Sequence, residues 1–303
     1  MTNAYRITQP STRINHPPAW SVLRLALFSA SLLCTPAQAQ SLTPEAPAFS
    51  LRGFGTLGVA RSSNGNAEFL RDGSQPKGIS NEWSARNDTI LGLQANYRIN
   101  QDAEIAVQGV SHYRHDGSFT PNLTRAFLKY SINPRLALRV GRIGTEFLML
   151  SDSRMVNYAY LTVRPSVEFF GGVPIHYGDG FDAQVRWPIG DGILSSEFFA
   201  GFAREKLPYY ELNNSRSLKY SLGYQQGSWQ FRYIYAQSRL ANDIPNLNDL
   251  RTTLSAAGAE SAASALSLSG SLSRYHSLGA AYDDGNWQLQ AAINAVNHDF
   301  VMF

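Results

Sequence analysis

The residue types that most often carry out catalysis are sparse in this sequence, and their spacing matches no catalytic motif. The chain has 303 residues but only one cysteine and six histidines. It contains neither the Gly-x-Ser-x-Gly turn of a serine hydrolase nor the His-Glu-x-x-His helix of a zinc protease. The histidines are His16, His112, His115, His176, His276 and His298. We therefore predict no catalytic residue and no cofactor.

Metal binding is the one chemical role that the histidine spacing leaves open. His112, His115 and Asp116 lie close together in the sequence, but three side chains without a fourth ligand define no site. Solvated surface histidines explain the same spacing. Two Gly-Asp-Gly segments, at 178–180 and 190–192, lack the spacing of a calcium loop and fit a strand edge and a turn. We predict no metal site.

Residues 1–39 have the features of a cleavable signal peptide. A segment with three arginines and no acidic residue precedes an apolar stretch from Leu25 to Leu33, which is too short to anchor the chain in a bilayer. Small residues in an Ala-x-Ala pattern end at Ala39, where we place cleavage. Cys34 lies in this segment, so the mature chain would have no disulfide or thiolate site. The bulky Leu33 before Cys34 disfavours lipidation.

Charge and composition narrow the class of the mature protein. The full chain has 26 basic and 23 acidic residues, so removal of the three signal-peptide arginines leaves 23 of each. This balance gives no indication of a nucleic-acid partner. The chain has 15 Tyr, 16 Phe and 24 Gly with only 16% charged residues. Strands that face lipid on one side and water on the other have this composition, although a soluble β-sandwich would share it.

Apolar and polar residues alternate with period two from Phe49 onward. In one segment Trp229, Phe231 and Tyr233 alternate with Gln230 and Arg232. This period predicts strands with one wet face. Eleven strands are predicted, at 49–60, 86–98, 103–113, 122–130, 136–143, 178–188, 193–203, 217–225, 229–239, 274–282 and 287–297.

The predicted connections alternate between long and short. The long ones are 61–85, 114–121, 144–177, 204–216 and 240–273. The short ones lie near 100–102, 131–135, 189–192, 226–228 and 283–286. Short turns at one rim and long loops at the other are typical of an up-and-down outer-membrane barrel. The predicted fold is therefore all-β: an antiparallel up-and-down transmembrane β-barrel over residues 40–303.

Two further patterns fit this plan. Six aromatic residues flank the short turns and predict a girdle at one lipid–water boundary: Tyr97, Tyr130, Tyr224, Trp229, Tyr282 and Trp287. Residues 252–273 are small and polar. They predict a short helix or a mobile segment within an extracellular loop.

Three segments resemble Gram-negative outer-membrane porins of the general, trimeric kind. Phe49–Gly58 resembles their opening strand, and Leu138–Gly144 resembles the strand that leads into their third loop. The segment Pro-Ser-Val-Glu-Phe-Phe-Gly-Gly from Pro165 is similar to the Pro-Glu-Phe-Gly-Gly signature of their constriction. Here extra residues separate Pro165 from Glu168, and a second Phe is present.

The resemblance implies sixteen strands per barrel, association into homotrimers and a third loop, here about 144–177, that folds into the pore. Acidic loop residues then face a basic wall and set up a transverse field. Glu168 and Asp152 are the implied loop acids. Strand alternation makes Arg98, Arg125 and Arg139 face the lumen, and they are the implied wall. The alternative is that these arginines are ordinary solvated lumen residues. Outer-membrane lipid, lipopolysaccharide, the barrel-assembly machinery and small hydrophilic solutes are the implied partners.

Eleven strands are an odd number, whereas bacterial single-chain barrels have an even one. A porin would need five more strands. The chain ends at Phe303, and a terminal Phe is typical of such barrels, but Asp299 and Asn297 interrupt the apolar alternation before it. We expect a porin truncated at its C-terminus. An intact barrel of ten or twelve strands is the rival interpretation.

The function that follows is passive diffusion of small hydrophilic solutes through a water-filled channel in the outer membrane. An outer-membrane enzyme and a soluble periplasmic β-sandwich that binds a ligand are the alternatives. A packed sandwich needs apolar inner faces, whereas nearly every predicted strand here has one polar face. The sequence specifies neither the solute, nor the sign of the ion selectivity, nor gating.

Overall fold

The computed structural model describes residues 48–147, 149, 151–160, 162–171, 175–208 and 210–299. The predicted signal peptide, 1–39, and Phe303 lie outside these residues. Eleven strands form one antiparallel sheet in which each strand pairs with the next along the chain. They are β1 (Phe49–Thr56), β2 (Ile90–Arg98), β3 (Ala103–His112), β4 (Asn122–Asn133), β5 (Leu136–Gly144), β6 (Tyr177–Ile189), β7 (Gly192–Leu207), β8 (Tyr210–Gln226), β9 (Trp229–Arg239), β10 (Leu272–Asp283) and β11 (Gln288–His298).

The predicted all-β, up-and-down antiparallel architecture is confirmed, and each of the eleven predicted strands is present. The long loop predicted at 204–216 is wrong, because β7 and β8 continue through most of it. Glu205 pairs with Leu212, and Leu207 pairs with Tyr210. Polar residues such as Asn213 suggested a loop, but polar side chains are normal on a two-faced strand.

The long connection between β5 and β6, residues 145–176, packs against one face of the sheet, which we call the inner face. The other face, the outer face, presents large apolar side chains to its surroundings. Neighbours on β8 show the difference: Lys219 and Ser221 on the inner face are 3% and 4% exposed, whereas Leu222 on the outer face is 37% exposed. Every strand contributes to the apolar outer face through Leu51, Leu91, Leu93, Ile105, Val107, Leu128, Leu138, Val140, Phe181, Phe198, Leu218, Leu222, Phe231, Leu278, Leu289 and Ile293.

The short turns all lie at one end of the sheet, which we call the short-turn end. Gly190 and Gly227 have φ of 56° and 54°, a left-handed conformation that glycine adopts without a steric penalty in a tight hairpin turn. Aromatic residues gather at this end as predicted: Trp229 and Tyr282 pair across β9 and β10 with ring centroids 4.9 Å apart. Trp287 is 68% exposed.

The long connections contain the helical segments. Helix α1 (Val167–Phe170) lies in the connection between β5 and β6, and α2 (Pro245–Ala256) and α3 (Glu260–Ala265) precede β10. Two 3-10 turns, Ser151–Ser153 and Asn157–Ala159, lie in the same connection as α1. No helix among the described residues is both long enough and apolar enough to cross a bilayer.

The sheet is open within the described residues, because β1 pairs with β2 alone and β11 with β10 alone. The total of sixteen strands implied by the porin resemblance therefore stays a prediction.

The two faces predict opposite responses to a new charge at adjacent positions of β2. Leu93 is 54% exposed on the outer face, and Gln94 lies on the inner face, where it accepts a hydrogen bond from Gln108. If lipid covers the outer face, Leu93→Arg should destabilise the folded protein in vesicles by about 2–4 kcal/mol. Gln94→Arg should change stability far less, because the inner face is polar.

Urea unfolding in lipid vesicles, followed by the heat-modifiable migration of the folded form, measures both variants. In a soluble sheet, an arginine at the exposed Leu93 would be harmless. Equal stability of Leu93→Arg and the unmodified protein would therefore contradict a lipid-covered outer face.

Candidate functional site

The inner face carries a row of charged side chains contributed by consecutive strands. Arg139 on β5 donates from Nε to Asp182 on β6, with the two carboxylate oxygens at 2.9 and 2.8 Å. Lys219 on β8 donates to Glu197 on β7 at 2.8 Å. We call the full set the wall cluster; it consists of Arg139, Asp182, Glu197, Lys219, Arg232 and the loop residue Glu146.

The wall cluster balances its own charge, with three cations and three carboxylates. Arg139 also reaches Glu197, at 3.4 Å, which joins the pairs into one network. Asp182 is fully buried and Lys219 is 3% exposed. Removing a single partner would leave an uncompensated buried charge, which typically destabilises a protein by about 3–5 kcal/mol. The network therefore fixes this part of the inner face.

The connection 145–176, which we call the inner loop, starts and ends at neighbouring points and crosses the inner face between them. Its two ends are joined because the Thr145 amide donates to the His176 carbonyl at 3.1 Å. Glu146 binds Arg232 on β9 at 2.6 Å. The ring of Phe147 packs edge-on against Tyr275 on β10, with centroids 6.4 Å apart. The loop therefore spans the face from β5 and β6 to β10.

A glycine on β10 allows the inner loop to approach the sheet closely. A Cβ at Gly279 would lie 2.8 Å from Sδ and 3.1 Å from Cβ of Met149. Met149 itself is 2% exposed. A side chain at 279 would therefore require Met149 to shift by a few tenths of an ångström or to change its side-chain conformation.

Glu146 remains charged in this setting. Burial alone would raise the pKa of its carboxyl, but the positive charges of Lys219 and Arg232 outweigh burial and lower that pKa to about 2. The ion pair that holds the start of the inner loop to β9 is therefore complete at neutral pH.

The first long connection, residues 57–89, packs on the inner loop and holds it from the other side. Arg71 donates from Nη2 to the Arg154 carbonyl at 2.9 Å and to Asn157 Oδ1 at 2.8 Å. Arg164 of the inner loop binds Asp88 at 2.8 Å. Arg71 and Asp88 are 8% and 3% exposed. Two loops, linked by buried charged groups, thus form one body over the inner face.

Of the residues implied by the porin resemblance, the structure brings Arg125 and Asp152 together. Arg125 on β4 donates from Nη2 to the Asp152 carbonyl at 3.2 Å. Burial raises the pKa of the Asp152 carboxyl, and the neighbouring charge of Glu146 raises it further. A loop acid and a wall arginine therefore lie side by side, linked through the loop backbone.

The other three implied residues lie elsewhere. Arg139 belongs to the wall cluster, where Asp182 neutralises it. Arg98 is the last residue of β2, at the short-turn end, so it does not share a level with Arg125, which is near the other end of β4. Glu168 lies in α1, fully exposed, and accepts a hydrogen bond from Ser166 Oγ at 2.7 Å. Alternation assigns the face of a residue but not its height on that face, so it could not separate these positions.

The sequence interpretation missed most of the wall cluster. Asp182, Glu197, Lys219 and Arg232 were each present on a predicted polar face. One signal in the sequence could have indicated the cluster: each of the five consecutive strands β5 to β9 contributes one charged residue to it. Strand register, which the sequence does not give, aligns them.

His112 and His176 take part in contacts that hold the inner loop. His176 lies 3.2 Å from Glu205 Oε2, and its ring centroid is 5.7 Å from that of His112. Both histidines tie the end of the inner loop to the walls formed by β3 and β7. Asp116 accepts a hydrogen bond from Ser118 Oγ at 2.8 Å, within its own turn. Among the described residues, no group of three or more potential ligands could hold a metal ion.

No protein-family model matches the sequence, and no curated protein matches it. Several solved outer-membrane proteins are similar in fold. OmpF of Salmonella typhi, in complex with daunomycin, is 14% identical, with a TM-score of 0.49 over 82% of this chain and 65% of OmpF. An anion-selective porin from Comamonas acidovorans is 12% identical, with a TM-score of 0.35 over 83% of this chain and 80% of the porin.

A loop-deletion form of OmpT, an outer membrane protein of Vibrio cholerae, is 12% identical, with a TM-score of 0.35 over 84% of each chain. This chain spans only 65% of the length of the Salmonella OmpF. At such identities the likeness concerns the fold alone.

An engineered disulfide tests the position of the inner loop. In a Cys34→Ser background, Met149→Cys together with Gly279→Cys should form a disulfide on mild oxidation, because the two Cβ positions are within bridging range after a shift of a few tenths of an ångström. Non-reducing gel migration of the folded protein reports the bridge. The matched control pairs Met149→Cys with Leu278→Cys on the outer face and should stay reduced. Bridging in both pairs, or in neither, would contradict the placement.

Acidification should release the start of the inner loop only well below neutral pH. The pKa of Glu146 is lowered from 4.5 to about 2, so its contribution to stability is complete above pH 4.5 and is lost as the pH falls towards 2. An environment-sensitive fluorophore attached at Met149→Cys should report constant burial from pH 7 to 5 and exposure below that range. In a Glu146→Gln background this acid step should be absent. An unchanged acid step in that background would assign the transition to another group.

Proposed function

We propose that the chain forms a water-filled channel across the outer membrane of a Gram-negative bacterium. Small hydrophilic solutes diffuse through this channel passively. The inner loop narrows it, and the wall cluster together with Arg125 and Asp152 lines the narrow region.

One observation carries the proposal: the distribution of side chains over the two faces of the sheet. All eleven strands expose apolar side chains on the outer face, while charged residues such as Asp182 and Lys219 are covered on the inner face. A soluble sandwich packs its apolar faces together and leaves polar faces in water. The observed arrangement is the reverse, and it suits a sheet with lipid outside and water inside.

The space beside the inner loop supports passage of small polar molecules. A cavity of about 410 Å³ lies between Glu146, Arg232 and the short-turn part of β6–β9. A second cavity, of about 210 Å³, lies between the loop and the wall at Arg125 and Asp152. Both have charged and polar side chains in their lining, and the larger one is within the size range of about 300–1,000 Å³ found for small-molecule sites.

The remaining features of the proposal concern export and assembly. Residues 1–39 direct export and are removed, and the barrel-assembly machinery inserts the mature chain. Lipid and lipopolysaccharide contact the apolar outer face. Glu168, exposed on α1, faces solutes entering from the long-loop side. Association of three copies is the assembly that the porin resemblance implies.

Planar-bilayer recording of the purified, folded, full-length protein tests the channel directly. We expect stepwise increases in conductance, because a water-filled pore conducts ions whenever it is open. A variant that lacks residues 157–168 of the inner loop should give larger steps and admit larger sugars in liposome-swelling assays. A correctly folded protein without stepwise conductance would sink the proposal. Larger steps without a change in the sugar size limit would remove the inner loop from the constriction.

A further inference from the structure

The charges on the inner face are not balanced, although the mature sequence is. Alternation from the exposed outer-face residues assigns eight cations and five carboxylates of the strands to the inner face. The cations are Arg52, Arg98, Arg125, Lys129, Arg139, Arg186, Lys219 and Arg232, and the carboxylates are Glu104, Asp182, Glu197, Glu205 and Asp283. The strands therefore present an excess of positive charge to the lumen.

All five strand carboxylates contact another group, and Asp283 accepts a hydrogen bond from the Gly285 amide at 2.9 Å. Asp182 and Glu197 are held in the wall cluster. Glu205 lies 3.2 Å from His176 Nδ1. Glu104 accepts a hydrogen bond from Asn96 Nδ2 at 2.7 Å. Asp182 and Glu197 are therefore already paired with cations of the wall cluster.

Two of the inner-face cations have no acidic partner in the part of the chain that the structure describes. Lys129 and Arg186 form no ion pair with any described residue. Glu104 stands directly across from Lys129 in the register, but no salt bridge joins them within the described sheet. Arg186 is exposed, and the residue directly across from it in the register is Ser195, which carries no charge. These two cations are therefore available to solutes.

Lys129 and Arg186 share one cavity at the short-turn end. This cavity, of about 290 Å³, lies on β4, β5 and β6, and Arg135 of the β4–β5 turn also lines it. Ala137 pairs with Ser131 on one side and Gln184 on the other, and its small side chain leaves the space open between the neighbouring strands. Asp102 is the one carboxylate among the lining residues.

The cavity leads towards the narrow region. Gln184 and Arg186 also line the cavity of about 410 Å³ that reaches Glu146 and Arg232 of the wall cluster. A solute at the short-turn end therefore meets unpaired cations first and the charge-balanced cluster afterwards.

We propose that the short-turn end of the channel binds small oxyanions through Lys129, Arg135 and Arg186, and that the channel consequently prefers anions. This inference rests on the proposed channel function. Carboxylates and phosphates are the ligands concerned, because guanidinium groups bind both through paired N–H donors and an ammonium group adds a mobile point charge. Hydroxyl and amide groups of Ser131 and Gln184 can complete the hydrogen bonding.

Ion selectivity in planar bilayers tests the sign of the preference. Under a KCl gradient at low ionic strength, where screening is weak because the Debye length exceeds about 10 Å, the reversal potential should show chloride passing more readily than potassium. The double variant Lys129→Gln, Arg186→Gln should shift that potential towards the potassium side. The matched control Arg204→Gln, Lys206→Gln removes the same two residue types outside the cavity and should leave it unchanged.

Inorganic phosphate tests the binding site itself. Phosphate added on the short-turn side should reduce the chloride current of the unmodified protein in a saturable manner, and this block should be lost in the Lys129→Gln, Arg186→Gln variant. Equal block by phosphate in both proteins, or a preference for potassium in the unmodified protein, would contradict the anion site. Neither result would contradict the proposed channel function. Absence of any conductance would instead overturn the channel function.

Discussion

The separation of apolar and polar side chains onto opposite faces of one continuous sheet is the constraint on which the rest of the structure depends. Each of the strands β2 to β10 forms backbone hydrogen bonds with two neighbouring strands. Only the side chains on the two faces of the sheet then remain to be matched to their surroundings. The outer face carries exposed residues such as Leu93 and Val140, and the inner face carries Asp182 and Lys219 under cover. A register shift of one residue would exchange the two faces. The alternation therefore excludes a shift by an odd number of residues, and it fixes the face on which every charged group lies but not its height.

In the register that the structure shows, the inner loop and the wall cluster stabilise each other. Arg232 binds a carboxylate of the loop, Glu146, and lies 4.0 Å from one of the wall, Glu197. The inner loop shields the wall cluster from solvent, and the ion pair between Arg232 and Glu146 holds the loop against the sheet. The first long connection adds a second support, because Asp88 binds Arg164 and Arg71 binds the backbone near Arg154. The narrow region is thus a packed and paired structure, whereas unpaired charge is left at the short-turn end.

The fold could be predicted from the sequence to a large extent, whereas the site could not. Period-two alternation located all eleven strands because each strand is a local pattern. It failed at 204–216, where polar residues such as Asn213 look like a loop but continue the pairing of β7 with β8. Alternation also assigned Arg98, Arg125 and Arg139 to the inner face. It could not give their heights along the strands. In the structure Arg98 lies at the short-turn end, Arg125 contacts the inner loop and Arg139 belongs to the wall cluster.

The sequence by itself determined the strand order, the two faces and the alternation of short turns with long loops, because these depend on residues that are near one another along the chain. Only the tertiary structure decided which charges are neutralised. Arg139 and Lys129 look equivalent in the sequence and pair directly across β4 and β5. Arg139 meets Asp182 from β6, and Lys129 forms no ion pair with the described residues. That difference depends on strand register and loop position, which bring together groups that are far apart in the chain, and a balanced formal charge cannot reveal it.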